Sequence, residues 1–208
     1  MTLEFGPSWQ DDFTSSPYSL RFELGYVSQH PNNYVTRFLG SLERARILAK
    51  AALPSTPLMA VIAAMPQPEL AIDAEQHGWI KGASGFDHLA QLGVVTDSPL
   101  AAFNDHFWPL DRDDPEAETW EHRVISITWR EAEILLWNQI AADLGVGPQA
   151  PVQSKLVDPA RGVLVHAYDD RGMDVTSLGA SATQGLYRSH KAWLLDYDRP
   201  RMAEVFEG

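Results

Sequence analysis

From Tyr18 to Gly25 the chain alternates, with Leu20, Phe22 and Leu24 on one side and Arg21 and Glu23 on the other. A period of two marks a half-buried strand, here closed by Gly25. Beyond Pro31 and two Asn the period lengthens. Tyr34, Phe38, Leu42, Ala45, Ala49 and Ala52 recur at helical spacing and predict a helix to about Leu53, with Glu43, Arg44 and Lys50 opposite. Pro54 and Pro57 break it. The run Leu58 to Met65 is almost continuously apolar. Its length suits a strand buried on both faces and set centrally in a sheet.

The signals weaken from Pro66 to Pro115. Glu69 to His77 reads as one short helix ended by Gly78. Ser84 to Leu92 reads as another, with Ser84 and Asp87 placed as a capping pair and Gly93 as the stop. Asp111 to Glu121 is dense in acids and reads as a surface loop. Ahead of the first strand, Pro7 to Pro17 is turn-rich and carries Trp9 and Phe13 back toward the body.

The second half is clearer. Val124 to Thr128 is a strand that runs into a helix through a Thr128–Glu131 capping box. Ile134, Trp137, Ala141 and Leu144 form the stripe expected to be buried. Gly145 ends this helix, and Pro148 prevents a restart. Strands follow at Val152 to Val157, Gly162 to Tyr168 and from Met173. Ser181 and Gln184 open a further helix whose inner face is Leu186, His190, Trp193 and Leu194. A last helix spans about Pro200 to Phe206, with Asp198 as its cap. Strands cluster without strict alternation with helices, which predicts an α+β fold. Its sheet is mixed or antiparallel and covered by helices on one face, with a helical insertion in the middle.

Length and composition narrow the class further. At 208 residues the chain suits a single α+β domain over 1–208, with the insertion falling at about 66–121. It holds no Cys, which removes disulfides, thiolate metal sites and cysteine nucleophiles together. The start of the chain has no basic and apolar leader, and no apolar run approaches the roughly 20 residues of a membrane span. The expectation is a cytoplasmic protein that engages no membrane. The net charge is −12 with no basic run, so nucleic acid is not an expected partner and a basic protein is.

The most distinctive stretch is Val163 to Val175, VLVHAYDDRGMDV. Asp169, Asp170, Arg171 and Gly172 form a hairpin turn in which Gly172 is expected to supply a positive φ. His166, Asp169, Asp170 and Asp174 would then gather at one end of the hairpin. With LRFELG (Leu20 to Gly25), HAYDDRGMDV (His166 to Val175) and LYRSHKAWLLDYDRP (Leu186 to Pro200), the chain resembles a bacterial family of a domain of unknown function. Leu144, Gly145, Val146 and Pro148 fit between these anchors, and the resemblance is weak from Pro66 to Glu121. It implies a bacterial cytoplasmic protein and supplies no catalytic residues.

Three chemical readings compete. Asp169, Asp170 and Asp174, with Asp196 and Asp198, offer carboxylates to Mg²⁺ or Ca²⁺, and His166 would add a ligand for Mn²⁺ or Fe²⁺. Against a metal, Arg171 within the cluster would compete with the ion. His166 with Asp170 or Asp174 could serve as an acid–base pair, as in a hydrolase. No G-x-S-x-G or Cys accompanies it, and Ser154 and Thr176 are near only in sequence. His77, His88, His106 and His122 lack zinc spacing, no phosphate loop occurs, and no cofactor is implied. The third reading is an interaction protein of the immunity type. Its acidic surface would include Tyr168, Asp169, Asp170, Arg171, Asp174, Asp196 and Asp198, with Trp108, Trp120 and Tyr168 as aromatic anchors. Trp137 and Trp193 read as core. The absence of enzyme signatures weighs toward interaction, with the metal-dependent enzyme as the alternative.

Overall fold

The computed structural model describes residues 3–25, 34–54, 58–66, 79–80, 82–108, 111, 113–114 and 116–207. Among the described residues, alternating and apolar runs become seven strands: β1 (Ser19–Glu23), β2 (Leu58–Ala64), β3 (Ala101–Asp105), β4 (Trp120–Ile127), β5 (Val152–Asp158), β6 (Val163–Ala167) and β7 (Gly172–Ser177). They form one antiparallel sheet in the order β1-β7-β6-β5-β2-β4-β3. The all-apolar β2 lies between β5 and β4, as its double-sided burial requires.

The helices are α1 (Asp11–Thr14), α2 (Tyr34–Ala52), α3 (Gly85–Gln91), α4 (Trp129–Leu144), α5 (Ala180–Ser189) and α6 (Arg199–Glu207). Capping sets two of their starts. Ser84 and Asp87 close a reciprocal capping box on α3, and Thr128 and Glu131 close another on α4. Gly145 ends α4 in the left-handed conformation at φ 62°.

α2 to α6 cover one face, where Leu20, Phe22, Val165, Met173 and Val175 meet Ala45, Leu48, Leu135, Ile140, Leu186 and Met202 in the main core. On the second face, Val61, Val124, Val157 and Leu164 form a smaller apolar cluster with Trp9 and Phe13. The N-terminal segment does return to the body, and it packs on the side of the sheet away from the main helical layer.

Several expectations shift. The middle of the chain is not helical throughout: Ala101–Asp105 is an edge strand on β4. The acidic loop stops short of Glu121, because β4 already begins at Trp120. The stripe predicted for α4 is rotated. Leu135, Leu136, Asn138, Gln139 and Ile140 are buried beside Ala141, while Ile134, Trp137 and Leu144 are half-buried. Tyr34 is exposed, and His190 and Trp193 are not buried. α5 starts after Gly179 without a side-chain cap, so Ser181 and Gln184 make no capping pair. The helix expected at Glu69 to His77 lies outside the described residues, as do His77 and Gly78.

Candidate functional site

The β6–β7 hairpin distributes its acids instead of gathering them. Asp169 Oδ1 accepts from the backbone N–H of Arg171 and of Gly172, both at 2.7 Å, which fixes the turn. Its Oδ2 pairs with the exposed Arg171 guanidinium. Asp170 points the other way and is fully buried against Arg37 of α2, whose Nε and Nη2 bind its two oxygens. Burial and the neighbouring Asp143 carboxyl push the Asp170 carboxyl above its usual range, against the pull of Arg37. Asp170 therefore cannot be offered to a partner or a metal without opening this contact.

Asp174 lies two residues past the turn and on the opposite sheet face from the helical core. It meets Arg21 of β1 in a two-point contact, Nε to Oδ1 at 3.0 Å and Nη2 to Oδ2 at 3.2 Å. Arg21 Nη1 also reaches Asp198 at 3.2 Å, so Asp198 is bound to the sheet. Asp196 is exposed and pairs with Arg199. Among the described residues, no three His, Asp or Glu converge as metal ligands would.

Gly172 is a correction. It does not have a positive φ; the Tyr168 side chain lies over it, and a Cβ there would stand 2.0 Å from the tyrosine oxygen. Burial, with Asp174 nearby, pushes the Tyr168 hydroxyl up to about 12. Tyr168 is thus a packing element of the turn.

Strand register brings together residues that lie far apart in sequence. Arg21 is paired with Asp174, and Asp174 with His166. Lys155 and His166 each lie one residue beyond the Leu156–Val165 pair, and Lys155 is opposite Val61. Arg21, Asp174, His166 and Lys155 therefore form one rank across four adjacent strands on the second face. The next rank is Ser19, Thr176 and Leu164. Together they floor a cleft of about 430 Å³, walled by Gln10, Phe13 and Thr14 and by Trp108 and Asp111. That size suits a small organic molecule.

Within this floor Lys155 is buried, and its ammonium donates to Gln10 Oε1 and to the Phe107 carbonyl at 3.2 Å. Its nitrogen stands 4.2 Å from the centre of the Phe107 ring. His166 is 5 % exposed and is surrounded by Phe107, Trp108 and Tyr168. Its buried Nε2 has no hydrogen-bond partner among the described residues. Burial, assisted by the charge of Lys155, holds the imidazole well below its ordinary 6.5, so the ring is neutral.

The other described histidines are dispersed. His88 Nε2 accepts from the Ile80 N–H, and His122 stacks on Phe103 with Nδ1 beside the Trp120 carbonyl oxygen. His106 lies just beyond β3. Ser154 is buried and does not line the cleft, whereas Thr176 does and shares a 2.9 Å hydrogen bond with Ser19. Sequence reasoning found His166 and Asp174 but passed over Arg21, Lys155 and Ser19. The available signal was strand alternation, which sets Arg21, Lys155 and His166 on the face opposite their apolar neighbours.

Fold and site define a class: an α+β protein whose antiparallel sheet is roofed by helices on one side and carries a polar cleft on the other. The chain belongs to the family described as Domain of unknown function (DUF3885), whose model matches residues 3–198. No curated protein and no solved structure matches it. No described helix is long and apolar enough to cross a membrane.

Proposed function

We propose that the chain is a binding protein whose ligand site is the cleft on the second sheet face. The single observation that carries this reading is that His166 lines the cleft floor and its buried Nε2 has no hydrogen-bond partner among the described residues. Leaving a buried polar atom unsatisfied costs about 1–3 kcal/mol, a cost that a ligand would remove by supplying the missing partner.

Geometry favours binding over hydrolysis. Asp174 gives both oxygens to Arg21, so it does not orient His166 as a catalytic carboxylate would. The hydroxyls of the cleft are engaged away from the imidazole: Ser19 and Thr176 bond to each other, and Thr14 donates to the Gln10 carbonyl. An interaction surface built on the hairpin loses Asp170 to burial. Asp169, Asp174 and Asp198 pair with arginines, Asp196 is exposed beside Arg199, and further exposed acids stand in the loop at Asp113, Asp114, Glu116 and Glu118.

The test is a thermal-midpoint screen of small polar molecules on the full chain, repeated on His166→Phe and on Thr14→Trp, which narrows the cleft mouth. A ligand present at 100 times its dissociation constant adds about 2.7 kcal/mol and raises the midpoint by several degrees. Hits that vanish in both variants support the cleft. Hits indifferent to both variants, or a broad library without hits, would overturn it.

A further inference from the structure

The polar groups of the cleft floor are not equivalent, and their differences select a ligand. Arg21 and Asp174 occupy each other, and a third nitrogen of Arg21 holds Asp198. Ser19 and Thr176 share one hydrogen bond. His166 lines the floor as well, and its buried Nε2 has no hydrogen-bond partner among the described residues.

The surroundings of that atom set the sign of charge it accepts. Asp174 flanks His166 on β7, but its charge is directed to Arg21. On the β5 side stands the buried Lys155 ammonium, and it is this charge that acts on the imidazole. In a region sheltered from water, a cation brought to Nε2 would be repelled by Lys155, and an anion would be attracted. A neutral imidazole with its proton on Nε2 donates to that anion.

The cleft also limits how much charge fits. Asp111 lines the wall and Asp174 the floor, so a second negative charge on the ligand would lie near carboxylates without a matching cation. The apolar part of the lining is Phe13, Leu164 and Trp108, whose ring centre is 5.3 Å from that of His166.

Building on the reading of this cleft as the ligand site, we infer that it takes a compact organic monocarboxylate with a flat apolar body. One carboxylate oxygen accepts from His166 Nε2 on the side facing Lys155, and the body lies among Phe13, Leu164 and Trp108.

Benzoate, benzamide, benzylamine and inorganic phosphate discriminate these features when titrated into the full chain at constant ionic strength. The readouts are the thermal midpoint and the indole resonance of Trp108. Benzoate is expected to saturate, benzamide to bind about tenfold more weakly for want of the charge, and benzylamine and phosphate not to bind. His166→Phe should melt normally yet lose benzoate, and His166→Gln, which retains a donor, should recover part of the binding. Equal binding of benzamide, or preference for benzylamine or phosphate, overturns the carboxylate assignment. It leaves the cleft as the site if His166→Phe abolishes that binding. Benzoate binding undiminished in His166→Phe overturns the inference and the cleft together. Saturation by none of the four probes overturns the monocarboxylate inference alone, since the wider screen on the same variants decides the cleft.

Discussion

The side chain of Tyr168 lies over Gly172, so close that a Cβ at position 172 would be 2.0 Å from the tyrosine oxygen and 2.3 Å from its Cζ. The glycine is required for space and not for a left-handed backbone. Gly172→Ala is expected to cost about 1–3 kcal/mol through the overpacked ring. Adding Tyr168→Ala should remove most of that penalty, so the two changes are strongly non-additive in a denaturation double-mutant cycle. Simple additivity would show that the ring is not the obstacle.

Arg37 and Asp170 are unequally buried: the Asp170 side chain is 0 % exposed and that of Arg37 31 %. Removing the aspartate leaves a guanidinium that can turn to water. Removing the arginine leaves a carboxylate sealed inside. Arg37→Ala should therefore cost about 3–5 kcal/mol at neutral pH, and Asp170→Ala clearly less. The Asp170 carboxyl is raised in the fold above its ordinary 3.8, so the folded state takes up this proton first on acidification. Its contribution to stability rises as the pH falls through that raised value toward 3.8. The Arg37→Ala penalty should accordingly shrink with acid, as measured by urea denaturation across pH. A penalty independent of pH would contradict this.

His166 acts with the opposite sign. Its folded value lies well below the ordinary 6.5, so between the two the unfolded chain is protonated and the folded chain is not. Stability from this group is complete above 6.5 and is lost as the pH falls below it, at up to about 1.4 kcal/mol per pH unit. His166→Phe should remove that slope, read as the difference from wild type. At neutral pH it should be at least as stable as wild type, since a buried nitrogen with no partner among the described residues is gone. A wild-type slope that persists in the variant would place the titration elsewhere.

The two ends of α4 test the local signals directly. Thr128→Ala removes the hydroxyl that accepts from the Glu131 N–H and should cost about 1 kcal/mol. Gly145→Ala forces a side chain to φ 62° and should cost about 1 kcal/mol as well. The sites are at opposite ends of the helix, so the effects should add in chemical denaturation.

What could be read in the chain was local. The alternation of LRFELG, the apolar run of β2, the Thr128–Glu131 box and Gly145 each act within a few residues, and each yields the expected element. β3 escaped because a short edge strand, AAFND, exposes much of its length and lacks a continuous apolar run. The rotation of α4 escaped because its buried Asn138 and Gln139 are polar in sequence. Asn138 finds its partners at Ala150 and Val152, and Gln139 bonds to Gln153 and the Ala167 carbonyl, all outside the helix.

By itself, the sequence determined the α+β class, the position of most strands and helices and the hairpin turn, and it marked His166 as a candidate. Tertiary structure alone decided that Asp170 turns inward to Arg37, that Asp174 turns to Arg21, and that His166 and Lys155 share a cleft with Arg21 and Asp174. The physical reason is register. Side-chain direction along one strand follows from a period of two, but which strands become neighbours, and in what alignment, depends on packing the whole sheet at once.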